Sequence, residues 1–391
     1  MKVYKILVVI VMIISSLSSC KSKIKAKTFT VTNTLNIERS YETLTLPKDF
    51  FKVKNLDSLG IRDLETGTFM ITQLVDIEGD GIMDELLFQP TLAPMSEKVF
   101  EIVSISKNER PEAKDYCYSR FVPERTDDYA WENDRVAFRT FGPTAQKMVE
   151  DSIKGGTLTN GIDAWLKKVP YPIINNWYKK NSIKQGAYHD DSPEGLDNFH
   201  VGTSRGVGGI AVKKDSIYYS SKNFISHRTI TTGPIRTSFY LTYKDWDAGG
   251  AMIKESKIIS LDLGSNFSKY ELSIEGTDSL SVGLTLHKKE GIVSGDIENS
   301  WLSYWEPHDD SELGMAIIGL SDNFLGYETY DSNQKDTSHA YAHLKVIDAS
   351  VIFYAGFGWK ERGQFTTKEA WEKHVAIFSK KISNPMTVVY N

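Results

Sequence analysis

Residues 235–243 read Ile-Arg-Thr-Ser-Phe-Tyr-Leu-Thr-Tyr, with Ile235, Phe239 and Leu241 on one face of the alternation. A period of two predicts a β-strand with one buried face. The same alternation returns in residues 280–286, which contain Leu at 280, 284 and 286 and Val at 282, and in residues 342–346. These segments predict strands of one large antiparallel sheet system.

The flanking sequence extends this prediction to an all-β chain. Residues 28–106 are strand-like and predict a small N-terminal β-sandwich, and the polar, proline-containing stretch 106–115 predicts a domain boundary. Residues 115–391 then form a large antiparallel domain resembling a β-supersandwich. Near the C-terminus, Thr366 and Glu369 form a capping-box pattern ahead of apolar residues at helical spacing, which predicts one C-terminal helix.

Residues 1–19 predict a lipoprotein signal peptide, because Lys2 and Lys5 precede a short apolar run that ends in Leu-Ser-Ser-Cys at position 20. Cys20 is the predicted lipidation site, and residues 20–27 are a tether. We therefore expect a chain attached to a bacterial membrane only through its lipid and facing the periplasm. The net charge of -5 and the absence of a basic stripe argue against nucleic acid as a partner.

An acidic loop supplies the one cofactor prediction. Asp76, Glu78, Asp80 and Asp84 surround Gly81 at spacings that resemble a D-x-D-x-D-G calcium loop. A structural calcium ion and a plain acidic hairpin turn both fit this sequence, and either one is structural. No cofactor is expected to be required for chemistry.

Residues 120–209 have poor periodicity and predict long functional loops. They include two stretches rich in acids, bases, amides and aromatic residues, 120–139 and 188–206. Structural ion-pair networks are the alternative explanation. His189 and His200 lie inside the second stretch. His287 shares a strand face with small polar residues, and this face could form the floor of a cleft. His308, His339 and His374 have no comparable neighbours in sequence. No histidine spacing indicates zinc.

Three segments resemble a known family: Arg-Phe-Val-Pro-Glu-Arg-Thr-Asp-Asp-Tyr-Ala-Trp-Glu-Asn-Asp-Arg-Val-Ala-Phe-Arg at 120–139, Gly-Ile-Asp-Ala-Trp-Leu-Lys-Lys at 161–168 and Tyr-His-Asp-Asp at 188–191. The family comprises exported bacterial proteins of formerly unknown function from polysaccharide-utilisation clusters, and it has been linked to an ulvan oligosaccharide dehydratase. The resemblance covers roughly residues 30–391. It implies a hydro-lyase that dehydrates the uronic acid at the non-reducing end of an ulvan-type oligosaccharide.

Such a dehydration needs a base for the hydrogen at C5, an acid for the hydroxyl at C4 and cations or amides near the carboxylate. The chemistry suggests catalytic candidates at His189, Tyr188, His200 and His287, of which the pair Tyr188 and His189 leads. The substrate-binding candidates are Arg135, Arg205, Asn133, Lys167, Trp131 and Trp165.

Three alternatives remain open from the residues. A polysaccharide lyase would use the same base and the same cations or amides near the carboxylate. A glycoside hydrolase would need two carboxyl groups, which Glu124, Glu132, Asp190 or Glu194 could supply. A non-catalytic glycan-binding lipoprotein would need only the tryptophans.

Overall fold

The structure is a computed structural model that describes residues 27–53 and 55–391. The signal peptide, Cys20 and most of the tether lie outside the described residues. Lys27 is already the first residue of a strand. None of the helices within the described ranges is both long and apolar enough to cross a bilayer.

Strands dominate the described chain. In chain order they are β1 (Lys27–Thr32), β2 (Leu44–Pro47), β3 (Leu59–Asp63), β4 (Thr72–Val75), β5 (Glu85–Phe88), β6 (Glu97–Ser104), β7 (Tyr118–Val122), β8 (Asp128–Glu132), β9 (Ala137–Thr140), β10 (Asp163–Lys167), β11 (Gly195–Leu196), β12 (Val207–Lys214), β13 (Ile217–Tyr219), β14 (Ser226–Thr231), β15 (Arg236–Thr242), β16 (Trp246–Asp247), β17 (Met252–Asp262), β18 (Phe267–Glu275), β19 (Ser279–Thr285), β20 (Ile292–Asp296), β21 (Trp301–His308), β22 (Ser311–Gly319), β23 (Phe324–Tyr330), β24 (His339–Lys345), β25 (Ser350–Trp359) and β26 (Thr387–Tyr390). The helices are α1 (Lys48–Phe51), α2 (Pro143–Glu150), α3 (Ile174–Ile183) and α4 (Lys368–Ser383), and short 3-10 turns occupy Lys107–Glu109, Pro123–Arg125, Ala187–His189 and Lys360–Arg362.

Two small sheets form the N-terminal unit. One has the order β26-β1-β6-β3 and the other β2-β5-β4. Their facing side chains, including Phe29, Phe88 and Phe100, form a separate hydrophobic cluster. Strand β26 comes from the far end of the chain and pairs antiparallel with β1. The sandwich therefore combines residues from both ends of the described sequence, and the domain boundary near residue 106 stays a prediction.

The main core lies between a nine-stranded sheet and two five-stranded sheets. The large sheet has the order β14-β15-β17-β18-β25-β22-β21-β20, with β16 added to β17. The other two have the orders β13-β12-β19-β24-β23 and β11-β10-β9-β8-β7. Phe239, Met315 and Phe353 from the large sheet pack with Val282 of β19 and Trp131 of β8 in one cluster. The all-β, sandwich-like fold expected from the sequence is confirmed.

Helix α4 packs on the outer face of the nine-stranded sheet, where Trp371 and Val375 join Trp305 and Phe267. The helix begins one residue later than the capping pattern predicts. Thr367, not Thr366, is the N-cap, and its side chain accepts a hydrogen bond from the Ala370 amide.

The expectation of long loops throughout residues 120–209 is wrong. This segment holds β7 to β11 together with α2 and α3. Every residue of β8, β9 and β10 is buried. Strands buried on both faces carry no alternation of apolar and polar side chains, which is why the pattern gave no strand signal.

Candidate active site

His200 lies in the loop before β12 and is paired with a carboxylate. Its Nε2 is 3.1 Å from Oδ2 of Asp336, and 56% of its side chain is exposed. An ionised carboxylate can only accept a hydrogen bond, so Nε2 carries the proton and Nδ1 is left with a lone pair. Within the described residues no side chain or backbone group bonds to that Nδ1. His200 is therefore an accessible imidazole with one oriented nitrogen and one open nitrogen.

Backbone geometry holds this pair in place. Gly202 and Asp336 both have left-handed backbone conformations, with φ values of +56° and +62°. A Cβ atom at Gly202 would overlap the carboxylate of Asp336 and approach Nε2 of His200. Only glycine leaves room for the pair at this position, and a non-glycine residue such as Asp336 adopts positive φ at some cost. Backbone strain of this kind is concentrated at functional sites.

His287 lies behind His200. Its Nε2 donates to the backbone carbonyl of His200 at 2.9 Å, and its Nδ1 is 2.6 Å from Oε1 of Glu306. Both nitrogens face acceptors, so the ring carries two protons and is an imidazolium. Burial disfavours this charge, but the hydrogen bond and charge of Glu306 outweigh burial and raise the pKa of His287. The loop with His200 thus rests on a buried ion pair.

His308 provides a second imidazole in a different state. It follows Glu306 by two residues on β21, so both side chains share a face, and the rings of His308 and His287 are 5.9 Å apart. Burial, reinforced by the charge of His287, lowers the pKa of His308. Its Nε2 is buried and has no partner among the described residues. A charged and a neutral imidazole therefore lie side by side behind His200.

His287, Glu306 and His308 are also close enough to be considered as metal ligands, because one ligand atom of each lies within 4.8 Å of the others. Their residue types suit zinc. The 2.6 Å between His287 and Glu306, however, is a hydrogen-bond distance. Two ligands on a tetrahedral ion with bonds of about 2.0–2.1 Å would lie roughly 3.3 Å apart. We therefore interpret the pair as hydrogen-bonded.

The leading sequence candidates, Tyr188 and His189, lie elsewhere. Tyr188 is buried, and its hydroxyl accepts a hydrogen bond from Nε of Arg125 at 3.1 Å. Its assignment as a catalytic group is corrected on this ground, since the ring offers no face or hydroxyl to a ligand. His189 is half-exposed, and its Nδ1 contacts the backbone carbonyl of Asp197.

Beneath Tyr188 lies a buried ionic cluster of Arg139, Asp128, Asp163 and Asp197. Arg139 donates to Asp163 at 2.9 Å and to Asp197 at 3.0 Å, and none of the four side chains is more than 7% exposed. Burial raises the pKa of Asp128 to about 6 and also raises that of Asp197. The structural ion-pair alternative therefore describes this part of the sequence.

Five of the six predicted substrate-binding residues are buried, and burial argues against their assignment as binding residues: Trp131, Trp165, Lys167, Asn133 and Arg205. Trp131 and Trp165 have no exposed surface, so neither presents a ring face to a sugar. Lys167 is buried and bonds to Glu132 at 2.7 Å. Asn133 caps its own turn by accepting from the Arg135 and Val136 amides. The sequence could not distinguish a buried tryptophan from one on a binding surface.

The two arginine candidates differ from each other. Arg205 is buried and donates to Asn160 at 2.8 Å, while its amide donates to Nε2 of His339 at 2.9 Å, so it joins the loop of His200 to β24. Arg135 is partly exposed and lines a cavity beside Tyr41. It makes no contact with the His200 site in the described structure.

The acidic loop is the hairpin turn between β4 and β5. Oxygens of Asp76, Glu78 and Asp84 lie within 4.8 Å of one another, and Asp80 is outside this group. Asp76 accepts hydrogen bonds from backbone amides of its own loop, including that of Gly81 at 2.7 Å. The hydrogen bond and charge of Asp84 raise the pKa of Glu78. A bound calcium ion stays a prediction.

Sequence reasoning missed Asp336, Glu306 and His308. A signal existed for two of them. On β21, Glu306 and His308 lie on the same buried face as Leu302 and Tyr304. A carboxylate and an imidazole on the apolar face of a strand must be paired or functional. Asp336 gave no such signal, because 136 residues separate it from His200.

Comparisons with known proteins agree with this picture of the fold. Two solved structures from Enterococcus faecalis, a protein in glycosyl hydrolase family 38 and an α-mannosidase, each match with a TM-score of 0.50 at 12% and 11% identity. They match over 94% of this chain, which spans about half of each of theirs (48% and 46%). At this identity the likeness concerns the fold alone.

At the level of sequence, "Uncharacterized protein P7" of Formosa agariphila is 52% identical over 376 residues, which cover 95% of both chains. Residues 31–388 match the family described as a domain of unknown function, DUF4861. The chain belongs to the DUF4861 family.

Proposed function

We propose that this chain is a carbohydrate-active hydro-lyase that removes water from the uronic acid at the non-reducing end of an ulvan-type oligosaccharide and leaves a 4,5-unsaturated uronate. One observation carries the proposal. His200 is an accessible imidazole that Asp336 orients through Nε2 at 3.1 Å, while Nδ1 has no partner in the described chain. A base held by a carboxylate is the group that proton abstraction next to a carboxylate requires.

In the proposed reaction, Nδ1 of His200 takes the proton from C5. The electron pair of that C–H bond forms the C4–C5 double bond, and the C4–O bond breaks with its electrons on oxygen. The protonated His200 then gives its proton to the leaving oxygen, so water departs and the imidazole returns to its starting state. One residue can serve as base and then as acid, and no cofactor enters the balance.

Positive charge beside the base would offset the charge that grows on the uronate. The imidazolium of His287 contacts the loop of His200 through its backbone carbonyl, 2.9 Å away. Lys288 and Lys289 follow His287 directly and are exposed, and Lys289 is paired with Asp331. A cluster of cations stabilises such a transition state most strongly where water is partly excluded.

The ligand class has independent support. The two solved structures that share the fold are described as a glycosyl hydrolase family 38 protein and an α-mannosidase, which favours a saccharide ligand. A hydrolase is less well supported by the site. A hydrolase needs two accessible carboxyl groups, whereas Glu306 is buried and bonded to His287 at 2.6 Å.

The proposed location follows from the signal sequence. Lipidation of Cys20 would hold the protein on the periplasmic side of a bacterial membrane, where it would meet oligosaccharides released from a polysaccharide. The membrane contact would then be made by the lipid alone.

The test is to incubate the purified protein with an ulvan disaccharide that carries a saturated glucuronate at its non-reducing end. We expect new ultraviolet absorbance from the conjugated double bond and a loss of one water in the mass, with no change in chain length. Shortening of a longer oligosaccharide would instead indicate a hydrolase or a polysaccharide lyase. Unchanged sugar that binds would indicate a binding protein.

A further inference from the structure

A cavity of about 480 Å³ lies where the N-terminal sandwich meets the nine-stranded sheet and α4. It is separate from the His200 site. Its walls include five basic side chains and two acidic ones: Arg39, Arg135, Arg236, Lys269, Lys381, Glu42 and Asp262. The whole chain has a net charge of -5, so this excess of positive charge is local. A concave basic surface on an acidic protein favours an anionic ligand.

Most of these cations already have counterions. Arg39 and Lys381 share Glu42, the latter at 3.0 Å. Arg236 binds Asp262 with two hydrogen bonds of 2.6 and 2.8 Å. These pairs shape the wall and leave little free charge.

Arg135 is different. Its side chain is only 22% exposed, and the nearest carboxylate oxygen, Oδ2 of Asp134, is 4.0 Å from Nε. Its only side-chain hydrogen bond in the described structure goes to Oδ1 of Asn266 at 3.2 Å. Burial lowers the pKa of Arg135. A partly buried guanidinium whose nearest carboxylate oxygen is 4.0 Å away can bind a planar or tetrahedral oxyanion, because two parallel N–H groups can bond to it.

Tyr41 lies beside this guanidinium in a strained conformation. Its φ is +56°, which is unusual for an aromatic residue, and 53% of its surface is exposed. The ring centroid lies 5.6 Å from the guanidinium carbon of Arg135. Gly264 leaves room for this ring, since a Cβ there would come within 2.5 Å of it. The chain thus accepts backbone strain to hold an exposed aromatic ring next to a guanidinium whose nearest carboxylate oxygen is 4.0 Å away.

A further polar group faces the same space. Nε2 of His374, on α4, is buried and has no hydrogen-bond partner among the described residues, and His374 lines the cavity. Because Nε2 is fully buried, His374 contributes to the shape of the cavity wall and not to a hydrogen bond with a ligand.

We propose that this cavity is a second binding site, for a ring that carries a carboxylate or sulfate group. The anion pairs with Arg135, and the ring lies against Tyr41. That the ring is a sugar rests on the proposed function, whereas the anion and the stacking do not.

The test is calorimetric titration of the full chain with four probes: glucuronate, glucose 6-sulfate, inorganic sulfate and glucose. We expect either acidic sugar to bind at least tenfold more tightly than glucose. The affinities for glucuronate and for glucose 6-sulfate show whether the site prefers a carboxylate or a sulfate. Equal affinity for glucose and both acidic sugars would overturn the proposal.

Two variants assign the binding to the cavity. Arg135→Gln should weaken binding of the acidic sugars and of inorganic sulfate at least tenfold. Tyr41→Gly removes the ring but suits the positive φ, so it should fold normally and weaken only the sugars. Arg228→Gln is the matched control, because Arg228 is an exposed arginine of β14 outside the cavity, and it should bind like the unmodified protein. Unaltered binding in Arg135→Gln would overturn the proposal.

The same titration in His200→Ala separates this inference from the proposed function. We expect that variant to bind the acidic sugars normally while forming no unsaturated product. If the unmodified protein forms product but Arg135→Gln binds every probe normally, the second site is refuted and the proposed function stands. If sulfate binding depends on Arg135 but the unmodified protein forms no product, the second site stands and the proposed function is refuted.

Discussion

The imidazole of His287 donates a hydrogen bond from Nε2 to the backbone carbonyl of His200, 2.9 Å away. The two residues are 87 positions apart in the chain, and the bond connects a buried ion pair to an exposed imidazole. A loop that carries a reactive group is thereby supported by a charged group beneath it.

Replacing His200 with Ala should lower the rate of product formation on the order of 100-fold or more, because the proposed base is lost. The stability should change by less than about 1 kcal/mol, since the side chain is half-exposed. His227→Ala is the matched control, because His227 is an exposed histidine of β14 that lies outside the site. Equal losses in both variants, measured with the ulvan disaccharide, would remove His200 from the mechanism.

Replacing Gly202 with Ala should abolish most activity, because the added Cβ displaces Asp336 from His200. The backbone strain alone should cost about 1 kcal/mol of folding free energy. Gly67→Ala provides the control, since Gly67 has a similar φ of +71° but open space around its Cβ position. Urea denaturation should show a comparable backbone cost in the two variants, with a further loss at Gly202, and only Gly202→Ala should lose activity. Full activity in Gly202→Ala would show that the pair is not needed.

The ion pair of His287 and Glu306 should make stability depend on pH. The pKa of His287 is raised in the folded protein, so its contribution is complete below the unfolded value of about 6.5 and disappears as pH rises through the folded value. Denaturant titrations of the unmodified protein and of His287→Gln should therefore differ most below pH 6.5 and converge at alkaline pH. A difference that grows with pH would contradict the imidazolium assignment.

Calcium should raise the melting temperature of the protein without changing the rate of product formation. The carboxylates of Asp76, Glu78 and Asp84 lie together in a hairpin of the N-terminal sandwich, and binding to the folded state alone would add about 2.7 kcal/mol at a concentration 100 times Kd. A chelator should reverse the shift, and Asp84→Asn should remove it. An identical melting temperature with calcium and with chelator would show a plain acidic turn.

Mass spectrometry of the protein purified from its native membrane should show a mature chain that begins at a lipidated Cys20. Cys20→Ser should release the protein from the membrane fraction. The described Cys117 is buried and provides no alternative attachment point. An unmodified residue 20 in the native protein would refute the anchor.

The sequence predicted those parts of the fold in which one strand face is buried and the other is polar. The segment 235–243 became β15, and the segments at 280–286 and 342–346 became β19 and β24. It failed for β8 to β10, where both faces are buried and the same aromatic residues that suggested sugar binding form the core. A one-dimensional pattern does not distinguish an exposed tryptophan from a buried one.

The candidate site shows the same limit. His200 and His287 could each be selected as histidines in polar surroundings, but their carboxylate partners could not be assigned. Asp336 and Glu306 reach them through strand pairing and through the left-handed turns at Gly202 and Asp336, which depend on the tertiary structure. Chemical reasoning from the sequence could therefore identify the types of residue in the site. Only the three-dimensional structure shows which of them are paired.

Strand β26 has a consequence for biosynthesis. Because β26 (residues 387–390) pairs with β1 at the edge of the same sheet, the N-terminal sandwich cannot be completed until residues 387–390 have been made. Until then β1 exposes an unpaired edge, which invites association with other chains. A chaperone that covers β1 until β26 has been made should therefore raise the yield of folded protein.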